Sequence, residues 1–442
     1  MKIITTDYQK QIYWKTEETA AEEIGCNNLI KIYPDYQKQQ MKGFGGAFTE
    51  AAGFCYEKLP KEKKKEFLQA YFGDEGLRYN IGRTHINSCD FALENYDALS
   101  SDGEDLDLTR ANQYVLPLMK DARSVCREEP EFLLSPWSPP ASMKTNGEMN
   151  HGGKLKPECR KEWAQYIARY LCRLKEEGIK ISYLTIQNEP EAVQTWDSCV
   201  YSAKEEMEFA CEYLADALAG AGLSHVRILV WDHNKEIVYD RAKEIFRNEK
   251  ALETIYGVAV HWYTGDHFQG LSMVKETWPE KEIFFTEGCV EYSRFMDSNE
   301  VNKAEMYAHD MIGNFNNGVS AFFDWNLLLD EKGGPNHVGN FCAAPVMASE
   351  DGLDFEKRLS YYYIGHFSRY VKKGACAAAV TSFSTDVETS GFVNPSGERV
   401  IVLLNRQEKA ISIALGKDGK GKNLLLAPHT ITTVCYMEEE LK

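Results

Sequence analysis

Two hydrophobic periods alternate along the chain between residues 44 and 325. Short apolar runs, rich in β-branched and aromatic side chains, read as buried strands at 44–48, 79–86, 131–137, 183–190, 226–231, 257–263, 281–288 and 319–325. Between them, apolar residues recur at helical spacing. The segment after Pro157 is the plainest case, with Trp163, Tyr166, Ile167, Tyr170, Leu171 and Leu174 on one face, Pro157 suited to the first turn and Gly178 to the stop. Further helices are predicted at 60–72, 108–125, 203–220, 235–248, 271–277 and 301–316. Eight buried strands alternating with helices predict an α/β fold with an all-parallel sheet, most economically a closed (β/α)8 TIM barrel over 41–372. An open doubly wound sheet is disfavoured by the lack of a glycine-rich dinucleotide loop. From 373 to 442 the rhythm changes to short β runs, such as 399–405 and 430–434, separated by turn clusters like Asn394-Pro395-Ser396-Gly397. Residues 1–40 hold two more strand-like runs, around Ile12-Tyr13-Trp14 and Leu29-Ile30-Lys31-Ile32-Tyr33. Isolated hairpins are not stable, so both termini are expected to join in one accessory antiparallel β-sandwich.

Composition narrows the function classes. A net charge of −17 over 442 residues argues against nucleic acid and anionic membrane as partners. No stretch is long and apolar enough for membrane insertion. Met1-Lys2-Ile3-Ile4-Thr5-Thr6-Asp7 has no apolar targeting core. The twelve cysteines are scattered, with no Cys-x-x-Cys, and read as reduced residues of a cytoplasmic protein.

In a barrel, chemistry collects where strands end. The fourth run closes in Asn188-Glu189-Pro190 and the seventh in Glu287-Gly288. One glutamate at a strand end is commonly a cap or an ion-pair partner. Two, on strands four and seven of one barrel, match the paired carboxylates of a retaining glycosidase, roughly 5–5.5 Å apart, one attacking and one donating a proton. That division of labour predicts a raised pKa for Glu189 and a low one for Glu287. Other strand-end residues are Arg83, His85, Trp137, Asp232, His261, Tyr263, Asp324 and Trp325, with Asp90 just beyond the second strand. Aromatic faces and fixed polar groups suit sugars. Arg83 either orients Glu287 or pairs with a core carboxylate. Trp262 reads as core, and His261 equally as a buried structural group. The histidines are not spaced as metal ligands, and neither metal nor cofactor is expected. A non-catalytic sugar-binding barrel and an acyl or metal-dependent hydrolase are the rival readings.

Gly43-Phe44-Gly45-Gly46-Ala47-Phe48-Thr49, Tyr79-Asn80-Ile81-Gly82-Arg83, Ser135-Pro136-Trp137-Ser138-Pro139, Asn188-Glu189-Pro190, Val260-His261-Trp262-Tyr263 and Asp324-Trp325-Asn326-Leu327 resemble glycoside hydrolases of family 30, closest to its glucosylceramidase (acid β-glucosidase) group. The resemblance runs through nearly the whole chain. It implies a retaining exo-β-glycosidase, with Glu189 as acid/base and Glu287 as nucleophile. Asn188 is then expected at the sugar 2-hydroxyl. Asp90, Trp137 and Trp325 are expected across the ring, with Arg83, His261 and Tyr263 around the nucleophile and Asn340 at the rim. A cis peptide after Trp325 is also implied. His337 stands where the glucosylceramidase motif has a tryptophan, so the aglycone side differs. The implied substrate is a small glucoside or oligosaccharide; β-xylosidase, β-fucosidase and β-1,6-glucanase are the alternatives within the family.

Overall fold

The computed structural model describes residues 1–25, 28–100, 103 and 105–441. Eight parallel strands close into a barrel: β1 (Gly43–Ala47), β2 (Ile81–Ile86), β3 (Glu131–Pro136), β4 (Ile181–Thr185), β5 (Arg227–Asn234), β6 (Ile255–His261), β7 (Glu282–Glu287) and β8 (Val319–Asp324). Each pairs with its neighbours in chain order, and β8 returns to β1 with Phe322 opposite Phe44. The lower interior is apolar, filled by Ile81, Leu133, Tyr183, Leu229, Ala259, Phe284, Ala321 and Phe323. Glycine at position 45 is a packing requirement, because a Cβ there would lie 2.0 Å from the Ile81 carbonyl oxygen on β2.

The helix after Pro157 runs Arg160–Glu176 and buries the six apolar residues its spacing predicts. Pro157 opens a 3-10 turn before it, and Gly178 follows its end at φ +83°. The predicted helix at 108–125 is instead two, Thr109–Gln113 and Val115–Val125, broken at Tyr114. Pro117 explains the break: it lacks the N–H that would bond Gln113, and its ring would strike that carbonyl. The 235–248 helix is likewise shorter, with a 3-10 turn at Lys235–Ile237 and an α-helix at Val238–Ile245. The fourth strand leaves the ladder at Thr185 rather than at Pro190. Beyond it the backbone is caught between neighbours, with Asn188 N–H donating to Pro136 O (2.8 Å) and Glu189 N–H to Asp232 O (2.9 Å).

The termini form one ten-stranded sheet, almost wholly antiparallel, that builds the sandwich. Lys2–Asp7 is an additional strand, second from one edge, pairing with both the edge strand Ile12–Glu18 and Thr430–Tyr436. Alternation along Arg399–Asn405 shows how the sheet is used: Ile401 and Leu403 point into the sandwich, while Val400, Val402 and Leu404 join the core shared with the barrel helices. The acidic run at 438–440 forms an ordered 3-10 turn, Glu438–Leu441, with Glu438 2.9 Å from Arg399. Eleven cysteines lie among the described residues, all as free thiols, with Cys211 and Cys435 buried and Cys172 partly so; Cys26 lies outside them. No helix among the described residues is long and apolar enough to cross a membrane.

Candidate active site

The upper barrel interior is polar and organised around Arg83. It is fully buried on β2 and donates to Glu287 Oε2 (2.6 Å), Asn188 Oδ1 (2.8 Å), Asp232 Oδ2 (2.8 Å) and Ser135 Oγ (3.1 Å). The two roles weighed for Arg83 are therefore both filled, by Glu287 and by the core carboxylate Asp232. Asp232 is the second hub. It accepts from Thr185 (2.7 Å) and Thr286 (2.6 Å), and its Oδ1 lies 3.1 Å from His261 Nε2. Burial works against its charge, but Arg83 and the His261 hydrogen bond hold its carboxyl well below the ordinary range.

Glu287 ends β7 with both oxygens engaged, because Tyr263 OH donates to Oε1 at 2.9 Å. Glu189 lies past β4 at φ 46°, a left-handed conformation that turns its side chain out of the strand direction. Its Oε1 is 3.2 Å from His261 Nδ1 and 3.7 Å from His233 Nδ1. His261 thus bridges Asp232 and Glu189. Burial alone would depress its pKa, but the charges of Glu287, Asp232 and Glu189 raise it to about 9.

The carboxyl pKa directions are the reverse of those expected from sequence. Burial pushes Glu287 up, reinforced by the charge of Glu189 and only partly offset by His261 and Arg83. Burial also acts to raise Glu189, but the His261 hydrogen bond and the charges of His233 and His261 bring it below its ordinary value. The physical cause is where one proton sits. With the proton on His261, Glu189 is an anion beside a cation. Moving it along the 3.2 Å bond to Oε1 yields protonated Glu189 and neutral His261, which still donates its Nε2–H to Asp232. Net charge is unchanged, so Glu189 remains able to present a proton.

Across the mouth, Trp137 and Trp325 stack with centroids 5.3 Å apart and planes at 21°. The Arg83 guanidinium lies 4.8 and 5.5 Å from their ring centres. Asp90 is buried; Oδ2 accepts from Asn340 Nδ2 at 3.1 Å, and Oδ1 has no hydrogen-bond partner among the described residues. His337 is held to this flank through Ala92 O, at 2.8 Å from its Nδ1. The expected cis bond after Trp325 is absent: among the described residues only Gly334–Pro335 is cis. The chain turns there through Asn326 at φ 69°, whose Oδ1 accepts from Thr49 Oγ1 at 2.6 Å.

The structure therefore brings together Arg83, Asn188, Glu189, His261, Tyr263 and Glu287, with Asp90, Trp137, Trp325 and Asn340 on the opposite flank. Three strand-end residues fall outside the site. His85 is a structural group bonded to the backbone at Glu50 and Asn87. Trp262 packs against Tyr307 and Phe285, and Asp324 accepts from Tyr307. Asp232 was legible only as a strand-end polar residue, and His233 was missed. Their signal was the abrupt change from Ile228-Leu229-Val230 to consecutive polar residues. The backbone bulges there inside β5, with φ 76° at Trp231 and 46° at Asp232, and the pairing with β6 passes from Trp231 to His233. Glu189, His233 and His261 also converge closely enough to hold a metal ion, with ligand atoms within 4.8 Å of one another. Their spacing in sequence gave no hint of this.

The model of the glycosyl hydrolase family 30 TIM-barrel domain matches residues 41–371, and that of the family 30 beta sandwich domain matches 374–434. Putative glucosylceramidase 4 of Caenorhabditis elegans is 30% identical, over 95% of this chain and 85% of its own. SrfJ from Salmonella typhimurium superimposes with a TM-score of 0.95 at 39% identity, covering 99% of both chains. The endo-beta1,6-glucanase BT3312 gives a TM-score of 0.88 at 26% identity, again over 99% of both.

Proposed function

Because this chain belongs to glycosyl hydrolase family 30, we propose that it hydrolyses a terminal β-D-glucosidic bond of a small glucoside or oligosaccharide with retention of configuration. The observation that carries this is the contrast between the two glutamates. Glu287 is fixed at both oxygens by Arg83 and Tyr263, as a nucleophile's aim requires, whereas Glu189 shares a proton-bearing bond with His261. In the first step, Glu287 attacks the anomeric carbon while Glu189 protonates the departing oxygen. In the second, Glu189 takes a proton from water, which displaces Glu287 from the sugar. Asn188, anchored by Arg83, is assigned to the 2-hydroxyl. The free oxygen of Asp90 and the Trp137–Trp325 wall are assigned to the far side of the ring.

Initial rates on nitrophenyl β-glucoside, xyloside, fucoside and galactoside test the sugar, and NMR of the first-formed anomer tests retention. A dominant glucoside rate with a β product is expected; an α product would remove the nucleophile from Glu287. Glu287→Gln should lose activity by on the order of 10⁴-fold or more on every substrate. Glu189→Ala should lose far less on a dinitrophenyl glucoside, whose leaving group needs no proton, than on an alkyl glucoside.

A second reading is endo-acting cleavage of β-1,6-glucan, favoured by the likeness to the endo-beta1,6-glucanase. The exo reading is supported by the flank where Asn340 is tied to Asp90 and His337 to Ala92, which fixes polar groups across the far side of a single sugar ring. Release of oligomers from a β-1,6-glucan, faster than glucose from nitrophenyl glucoside, would decide for the endo reading.

A further inference from the structure

We infer that Glu189, His233 and His261 form a binding site for a divalent transition-metal cation of the zinc type, and that filling it inhibits the enzyme. The inhibitory half rests on the role proposed for Glu189; the binding half does not.

The donor set is two imidazoles and one carboxylate. Glu189 Oε1 lies 3.2 Å from His261 Nδ1 and 3.7 Å from His233 Nδ1, and all three ligand atoms fall within 4.8 Å of one another. A tetrahedral ion with bonds of about 2.0–2.1 Å has ligand–ligand edges of about 3.4 Å. The two contacts to Glu189 therefore already bracket the required spacing. His233 Nδ1 is buried with no hydrogen-bond partner among the described residues. Its ring is fixed against Trp231, centroids 4.9 Å apart. Nδ1 thus faces Glu189 at 3.7 Å with no hydrogen bond to give up, and in the Nε2–H tautomer it offers its lone pair to an ion there.

The surroundings resemble those of metal ligands rather than of a chance cluster. His261 turns its other nitrogen to Asp232, 3.1 Å away, as ligating histidines do when a carboxylate backs them. Asp232 is itself held by Arg83, Thr185 and Thr286. Metal binding displaces the proton shared by His261 and Glu189; with both imidazoles then neutral, Glu189, Glu287 and Asp232 carry three negative charges against the one positive charge of Arg83. A dication cancels the remaining two. Imidazole with carboxylate selects zinc, copper or nickel over magnesium or calcium. Glu189 and His233 are both partly exposed, so the fourth coordination position opens toward the mouth. An ion on Glu189 Oε1 takes the place of the proton that the leaving group needs, and it occupies the ground of the glycosidic oxygen. Metal and glycoside therefore exclude each other.

Zinc chloride added to the purified enzyme should raise KM for nitrophenyl β-glucoside with kcat unchanged, and magnesium should do nothing. Equilibrium dialysis should find one more zinc per wild-type chain than per His233→Ala chain. The zinc concentration giving half-inhibition, relative to each protein's own zinc-free rate, should rise at least tenfold in His233→Ala. His233→Asn provides a second variant, and only variants that melt cooperatively are compared. Equal zinc stoichiometry and equal half-inhibition in wild type and both variants would overturn the site, because zinc would then be bound elsewhere, for instance by thiols. Full activity at zinc saturation, with the His233-dependent zinc still bound, would uphold the metal site and overturn its inhibitory effect, while the Glu189→Ala comparison of dinitrophenyl and alkyl glucosides tests the role of Glu189 separately.

Discussion

Asp90 shows how a single residue is prepared for a ligand. One oxygen is tied to Asn340, and the other is buried without a partner among the described residues, an arrangement that a substrate hydroxyl completes. Burial first, and then the charge of Glu287, push its carboxyl well up. Asp90→Ala is expected to lower kcat/KM on nitrophenyl β-glucoside by roughly 10²-fold, the worth of about two hydrogen bonds, with little change in melting temperature. Glu287 bears on pH. Attack requires the ionised form, and burial has raised its pKa, so activity should be lost as pH falls while still above the ordinary glutamate range. Tyr263 donates to the carboxylate and favours its charge. Tyr263→Phe should therefore move the acid limb of kcat/KM upward by about one pH unit. A limb that stays in place would mean the hydroxyl does not govern Glu287.

At the scale of elements, the site depends on strands that can approach and then turn. The Gly45–Gly46 pair of β1 lets it lie close to β2 and to Leu327. Gly45→Ala sets a methyl against the Ile81 carbonyl oxygen, 2.0 Å away. The variant should lose roughly 1–3 kcal/mol or more of stability by urea unfolding, and activity with it, since Arg83 is two residues beyond Ile81. The chain just past β4 and a bulge within β5 do the turning. Left-handed φ at Glu189, Trp231 and Asp232 redirects side chains that a regular strand would alternate between barrel interior and helices. The sequence pattern located both strands but not these turns. Apolar alternation reports burial, whereas a single left-handed residue in or beyond a strand leaves no periodic trace.

At the scale of the molecule, barrel and sandwich are joined through a shared core rather than tethered. His366, on the helix Leu359–Ser368, lies 2.9 Å from Thr6 Oγ1 and 2.8 Å from Thr433 Oγ1, one hydroxyl from each end of the chain. Burial, with the nearby Arg369 charge, drives its pKa down to about 3, so it is neutral in the fold and takes up a proton readily only when unfolded. Its contribution is fully present above the ordinary histidine pKa of about 6.5 and is lost progressively as pH falls from there toward 3. His366→Gln should therefore flatten the decline of the urea midpoint between pH 7 and 5. A variant with the wild-type slope would place that titration elsewhere. The shared core also predicts one calorimetric transition for both bodies, and two well-separated transitions would contradict it.

The order of strands and helices, the barrel, the sandwich drawn from both termini and the two glutamates were all legible in the sequence. Period, strand length and turn chemistry are local, and barrel topology then places strand ends at one mouth. The inward turn of Asp232 and His233, the two-sided role of Arg83, the trans turn at Asn326 and the reversed pKa directions of Glu189 and Glu287 were decided by the tertiary structure. Each depends on which charges and donors lie within a few ångströms across strands dozens to hundreds of residues apart. Electrostatic interaction follows distance in space, which residue spacing along a chain does not record.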